Sequence, residues 1–302
     1  MRIVSLLPSA TEICFALGLG QSLVGVTHEC DFPPQAEFKP ILTEATLPEQ
    51  GGAPGDIDRH VREAVHQGSS LYRVRQEELA RARPDLILTQ ELCEVCAVAY
   101  PQVLEAARLL PGHPTVLSLE PTTLAGVLRS ILEVGAATGT KERAAELVRG
   151  LWARVDAVRG AVAGRERPRV ACLEWVDPLM LAGHWVPDQV AVAGGMDVLG
   201  VAGERSRRLS LDELRAAAPE VLLCMPCGYR LEGAAGQLAI LRSQPFWKDL
   251  PAVAAGQVYA VDGSWYFNRP GPRVIDGIEI LAKILHPDAW RGPVPQGFQR
   301  VA

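Results

Sequence analysis

The sequence predicts an α/β protein of two lobes, each with a central parallel sheet, joined by a single long backbone helix, with a ligand cleft between the lobes. Three observations lead there. The chain writes one pattern twice: Arg75-Gln76-Glu77-Glu78-Leu79-Ala80 runs into Arg83-Pro84-Asp85-Leu86-Ile87-Leu88, and Ser210-Leu211-Asp212-Glu213-Leu214-Arg215 runs into Ala218-Pro219-Glu220-Val221-Leu222-Leu223. Each copy reads as an acidic-started helix, a proline stop and a continuous apolar run typical of a buried parallel strand. The opening of the chain alternates strand, helix and strand at the spacing of a right-handed parallel crossover. Finally, Ala144, Leu147, Val148, Leu151, Trp152, Val155, Val158 and Val162 follow helical spacing within Lys141 to Ala163, a helix of roughly 34 Å. Such a helix between two βα halves reads as a strut.

The elements follow in order. Ile3 to Leu7 is the first strand, and Pro8-Ser9-Ala10-Thr11-Glu12 opens a helix in which Ser9 and Glu12 have capping-box spacing. Gly18 closes that helix. Leu23 to Val26 is the second strand and ends in Thr27-His28-Glu29-Cys30-Asp31. Residues 43 to 56, rich in Gly, Pro and acidic side chains, read as a surface loop. After the first copy of the repeat come a helix over Val103 to Leu110 and a strand over Thr115 to Leu119. The second lobe starts at Arg169 with strands Val170 to Leu173 and Leu179 to Ala182, then a turn through His184 and a helix ending at Gly194-Gly195. Val258 to Val261 is its last strand, and the final helix runs to Leu285 and stops at His286-Pro287. The layout is a Rossmann-like lobe over 1–120, a helical connector over 121–165 and a second Rossmann-like lobe over 166–302.

Bulk properties narrow the partners. A chain of 302 residues, 48% hydrophobic, is long enough for two cores. A net charge of −5 and the lack of a basic stripe argue against nucleic acid. The run Arg205-Ser206-Arg207-Arg208 reads as a solvated turn. No apolar run approaches the roughly 18 residues that span a membrane. The first residues form a strand rather than a signal peptide, and seven cysteines suit a reducing compartment. The expectation is a cytoplasmic monomer as written, periplasmic or extracellular if a leader was removed.

Ligands of open α/β sheets sit outside the carboxyl ends of the strands, so the candidates are sought there. Trp175, Trp185, Trp265, Tyr266 and Phe267 all follow strand ends in the second lobe. Five aromatics in loops suit a large, planar, partly apolar ligand. Both repeat strands lead into cysteine pairs, Cys93/Cys96 and Cys224/Cys227. With His28, Cys30 and His184 nearby, a thiolate zinc or iron–sulfur site is one reading. Against it, the pairs lie about 130 residues apart, outside zinc-ribbon spacing, and Cys224 reads as a buried strand residue. No Walker loop, G-x-S-x-G elbow or H-E-x-x-H is present. The Ser9 hydroxyl is explained by the cap, His60 and His66 by a solvated helix face and His113 by a turn. The chain reads as a binder, not an enzyme.

The opening Arg2-Ile3-Val4-Ser5-Leu6-Leu7-Pro8-Ser9-Ala10-Thr11-Glu12, then Val24-Gly25-Val26-Thr27 with Asp31-Phe32-Pro33-Pro34, and Pro84-Asp85-Leu86-Ile87-Leu88 resemble, as a set, the class III rigid-helix substrate-binding proteins. Glu174-Trp175-Val176-Asp177-Pro178, Gly183-His184-Trp185-Val186-Pro187, Met225-Pro226-Cys227-Gly228 and Tyr266-Phe267-Asn268-Arg269-Pro270-Gly271-Pro272-Arg273 look most similar to the cobalamin-binding branch. The resemblance implies a corrinoid, cobalamin or a precursor, held between aromatic walls for ABC-type uptake or intracellular handling, with haem or an iron-siderophore as alternative ligands. The ligand-facing set is then Ser9, His28, Cys30, Tyr72, Cys93 and Cys96 in the first lobe. In the second it is Trp175, His184, Trp185, Cys227, Trp265, Tyr266, Phe267 and Arg269. Family members dock on a permease through one surface glutamate per lobe, which points to Glu91 or Glu94 and to Glu232. A thiol-liganded metalloprotein, with His28, Cys30, Cys93, Cys96 and Cys227 as ligands, and an intracellular sensor on the same fold are the competing readings.

Overall fold

Why the chain folds as two units is visible in where its strands pair. The computed structural model describes residues 1–46, 53–66, 71–91 and 98–301. It divides into one unit of residues 1–120 and 128–148 and a second of 121–127 and 149–302.

The first unit contains β1 (Ile3–Ser5), α1 (Pro8–Ala16), β2 (Leu23–Gly25), β3 (Thr43–Ala45), α2 (Pro54–His66), β4 (Tyr72–Val74), α3 (Gln76–Ala82), β5 (Leu86–Thr89), α4 (Tyr100–Arg108) and β6 (Thr115–Ser118). Its main sheet has the order β2-β1-β5-β6, and all three pairings are parallel. Every residue of β5 is buried, as expected of a strand covered on both faces. The chain reverses its direction of winding at β1, which makes the carboxyl ends of β1 and β5 a topological switch point. Two expectations change here. Residues 43–56 are not one loop, because Thr43–Ala45 pairs antiparallel with Tyr72–Val74 as a small ribbon. Nor does Ser9 cap α1: the helix starts at Pro8, with Leu7 as its cap residue and no side-chain cap. Proline at the first helical position presets φ and lacks the N–H that a cap would satisfy, so Ser9 and Glu12 fall inside the helix and are buried.

α5 (Leu124–Thr138) and α6 (Lys141–Val162) follow, and α6 has nearly the predicted extent. The second unit holds β7 (Arg169–Val176), β8 (Leu179–Leu181), α7 (Val186–Val192), β9 (Met196–Asp197), β10 (Arg207–Arg208), α8 (Leu211–Ala217) and β11 (Val221–Cys224). It continues through α9 (Leu231–Arg242), α10 (Pro251–Ala254), β12 (Val258–Val261), α11 (Gly263–Tyr266), α12 (Val274–Leu285) and β13 (Phe298–Arg300). β7, β11 and β12 form the parallel centre, β9 pairs parallel with β7, and β8, β10 and β13 add antiparallel edges. The two-residue link Asp177-Pro178 is too short for a crossover, so β7 and β8 form a hairpin. α6 is anchored to α12 by Arg154, whose guanidinium reaches both Glu279 oxygens at 2.9 and 2.7 Å and Asp276 Oδ1 at 2.5 Å. Glu279 is buried, which makes this a pair that tolerates no missing partner.

The repeat proves to be a structural one. α3 and α8 each end on a left-handed residue, Arg83 at φ 40° and Ala218 at φ 42°, just before the proline. The acid that follows catches the start of the neighbouring strand: Asp85 Oδ2 accepts the Arg2 N–H at 2.7 Å, and Glu220 Oε2 accepts the Arg169 N–H at 2.8 Å. In return Arg2 Nε donates to the Ala82 carbonyl at 2.8 Å and Arg169 Nη2 to the Ala217 carbonyl at 2.5 Å. Each arginine thus caps carbonyls that a helix end leaves unpaired. We expect Arg169→Met to cost about 1–2 kcal/mol, seen as a lower urea midpoint at unchanged slope. Arg2→Met, at a more exposed end, should cost less; equal and negligible shifts in both would contradict the clamp.

Candidate functional site

In the first unit the carboxyl end of β1 is knitted to the loop after β2. The Ser5 hydroxyl donates to the Leu7 carbonyl and accepts from Thr11 Oγ1, both at 2.9 Å. The Cys30 thiol lies 3.1 Å from Thr11 Oγ1 and 3.3 Å from Thr27 Oγ1 and is buried. Cys30 is therefore a thiol of the interior, where small cysteines behave as apolar residues, and Ser9, expected to face a ligand like Cys30, is buried as well. Beside them lies a small open depression lined by Leu6, Pro8, Thr27, His28, Glu29, Thr43, Tyr72 and Val98. The β3–β4 ribbon builds one wall, because Thr43 and Tyr72 occupy the same face of the paired strands. His28 stands against that wall, with Nδ1 2.8 Å from Thr43 Oγ1 and its ring 5.3 Å from that of Tyr72. Of the other first-lobe candidates, Glu91 is exposed and gives its backbone N–H to Glu120 Oε1 at 2.7 Å. Cys93, Glu94 and Cys96 lie outside the described residues.

The second unit does not present the five-membered aromatic wall. Trp185 is buried and donates its indole N–H to the Phe267 carbonyl at 2.7 Å. Phe267 is among the most buried large side chains. Tyr266 is buried as well, with its hydroxyl on the Gln296 carbonyl at 3.1 Å, and burial pushes its phenol above the ordinary range. Tyr266 and Phe267 belong to the core because α11 is a single turn after β12 and folds them inward, where Gln189 holds the Tyr266 and Val274 carbonyls at 3.0 and 2.8 Å; Trp185, at the start of α7, is held there by its bond to Phe267. Trp175 and Trp265 remain half-exposed.

Around them stand residues that sequence reasoning missed. Tyr229 meets Trp175 edge-on at 5.7 Å. Arg230 stacks on Trp265, its guanidinium carbon 3.3 Å from the ring centre, and Arg273 approaches the same ring at 4.7 Å. Asp262 ties the group together: Oδ2 accepts from Arg230 Nε at 2.6 Å, while Oδ1 accepts the Trp265 N–H at 2.9 Å as the cap of α11. Gly263 lets that turn come close, since a Cβ there would sit 2.6 Å from the Pro226 carbonyl oxygen. The available signal was Asp262-Gly263 directly after a strand, a cap residue opening a turn. Glu174, Trp175, Cys227 and the Tyr229–Arg230 pair all emerge at the carboxyl ends of β7 and β11, the second unit's own switch point. Cys227 is half-buried and gives its backbone N–H to the Glu174 carbonyl at 3.1 Å. Arg269 is half-buried after α11, and Glu232 is exposed in the first turn of α9.

The thiol reading gains nothing from these positions. Cys224 is buried in β11 and desolvation pushes its thiol up to about 12; Cys14 is held at about 12 by burial and by Cys30. Such thiols stay protonated and are poor ligands. Among the described residues no three His, Cys, Asp or Glu side chains gather as a metal site, and no helix is long and apolar enough to cross a membrane.

The comparisons with known proteins follow the same architecture. The model of the periplasmic binding protein family matches residues 3–264. The chain belongs to that family. It is 25% identical over 290 residues to a vitamin B12-binding protein of Vibrio cholerae, covering 94% of this chain and 88% of that one. It is 24% identical over 296 residues to the uncharacterized ABC transporter substrate-binding lipoprotein YvrC of Bacillus subtilis, covering 96% and 81%. Among solved structures it resembles the periplasmic heme-binding protein RhuT from Roseiflexus sp. RS-1 in apo form, with 25% identity, TM-score 0.70 and coverage of 96% and 99%. These are periplasmic and lipoprotein names, so the cytoplasmic expectation finds no support.

His184 is the strained residue of this region. Its φ is +53°, and among the described residues its buried Nε2 finds no hydrogen-bond partner. Burial, with Arg205 adding to it, holds the imidazole below its ordinary range. The folded protein therefore favours the neutral ring and the unfolded chain takes up the proton first. The His184 contribution is complete above the unfolded value of about 6.5 and is lost as pH falls below it. We expect the melting temperature to fall more for the wild type than for His184→Asn between pH of about 7.5 and 5.5, asparagine being suited to positive φ. Parallel curves would contradict it.

Proposed function

We propose that this protein is a non-catalytic binding protein for a corrinoid, cobalamin or a precursor, which it delivers to an ABC-type permease from outside the cytoplasm. The observation that carries the reading is the half-exposed set Trp175, Tyr229 and Trp265, with Arg230 stacked on the last, at the carboxyl ends of the second unit's parallel strands. Flat aromatic and guanidinium faces suit a broad ring with polar edges. The vitamin B12-binding relative, similar along nearly the whole chain, supplies the ligand class. Similarity to a heme-binding protein at the same identity favours haem as the second reading.

In this proposal the lobes are residues 1–120 and 166–302, with 121–165 as connector, and the ligand is met by His28 and Tyr72 from the first unit. Glu232 is the proposed permease contact of the second lobe, with Glu91 or Glu94 for the first. Calorimetric titration with cyanocobalamin and with haemin tests the assignment. Cyanocobalamin should bind at micromolar or lower concentration, and Trp265→Ala should weaken it about tenfold or more, as loss of a packed aromatic anchor does. Trp152→Ala, on α6, should change nothing. Haemin binding without cyanocobalamin binding would replace corrinoid by haem.

A further inference from the structure

The first unit's depression supports a sharper statement about ligand class, which rests on the corrinoid proposal. It comes from an accounting of protons around His28. The Thr43 hydroxyl is almost fully buried; it accepts the backbone N–H of His28 at 3.2 Å and lies 2.8 Å from His28 Nδ1. A buried hydroxyl both accepts and donates, and among the described residues Nδ1 is the one acceptor the structure gives the Thr43 proton. Nδ1 therefore accepts, and the ring proton sits on Nε2. The nearest charge agrees with that tautomer, for Glu29 Oε1 is 3.9 Å from Nε2. A carboxylate on that side favours an N–H over a lone pair. His28 consequently offers a proton to the depression, next to Leu6, Pro8 and Tyr72.

We infer that His28 is a specificity-determining residue that donates from Nε2 to a neutral amide oxygen on the ligand rim, with Glu29 selecting against acid-edged ligands. It is not an axial ligand for the ligand's metal, because a protonated ring nitrogen has no lone pair to give. The rim of a corrin carries amides, whereas that of haem carries carboxylates, and a second carboxylate beside Glu29 is repelled. The same geometry thus prefers the first ligand.

Two measurements test this. Histidine-labelled ¹⁵N spectra of the ligand-free protein should show His28 protonated at Nε2 and bare at Nδ1; the opposite tautomer overturns the inference whatever the ligand. Titrations then compare aquocobinamide with cobyrinic acid, the all-carboxylate form of the same ring. The wild type should prefer the amide form by about tenfold, and Glu29→Gln should narrow that gap to about threefold. His28→Ala should weaken cobinamide about tenfold, while His28→Gln, whose amide N–H replaces Nε2–H, should stay within about threefold of wild type. A corrin absorption shift on binding that disappears in His28→Ala would mean nitrogen ligation and overturn the inference. Cobinamide binding that ignores His28→Ala would overturn it alone, whereas a wild type that binds neither ring overturns the corrinoid proposal itself.

Discussion

The clamp at the foot of each parallel sheet sets the frame on which the candidate site is built. Arg2 with Asp85 and Arg169 with Glu220 tie the start of one strand to the end of the helix before its neighbour. That fixes Ile3 opposite Leu86 in the first unit and Val170 opposite Val221 in the second. Register matters because a slip by one residue turns every side chain to the other face of a sheet. With the register held, Leu6 and Gln90 follow the paired ends of β1 and β5 in one unit, and Met225 leaves β11 beside Leu173 of β7 in the other. The groups proposed to touch a ligand come from the loops beside these strand ends, from the β3–β4 ribbon and from the turn after β12.

Burial explains why the chemistry collects there. β5 and β11 are buried at every position, so neither can carry a polar side chain to solvent along its length. The two units use the strand ends differently. The first makes a hydrogen-bonding corner, in which an antiparallel ribbon holds Thr43 against His28. The second makes a flat face from Trp175, Tyr229, Trp265 and Arg230, held by one buried carboxylate, Asp262.

Much of this was legible in the residues. The repeat, α6, β12 and α12 stood out because each depends on local pattern: proline stops, helical spacing and continuous apolar runs. The structure adds a capping box at Ser210 and Glu213, both of whose hydrogen bonds form, where the sequence pattern reads only as an acidic helix start. The similar pattern at Ser9 failed because Pro8 starts the helix one residue earlier. Trp185, Tyr266 and Phe267 shared sequence positions after strands with Trp175 and Trp265, yet tertiary packing alone decides which rings turn inward. Cys30 went the same way, drawn in by hydroxyls of Thr11 and Thr27 that are distant or unremarkable in sequence. Arg230 and Asp262 were missed because their partnership spans 32 residues, and no local pattern announces a long-range ion pair.

The account places ligand contact at the carboxyl ends of the duplicated strands in both units. Hydrogen–deuterium exchange with and without cobinamide measures that directly. The account predicts added protection confined to the segments around 27–29 and 72–74 in the first unit, and around 174–176, 227–230 and 263–269 in the second. Protection at the opposite strand ends, near Arg2, Asp85, Arg169 and Glu220, with none at those segments, would contradict it.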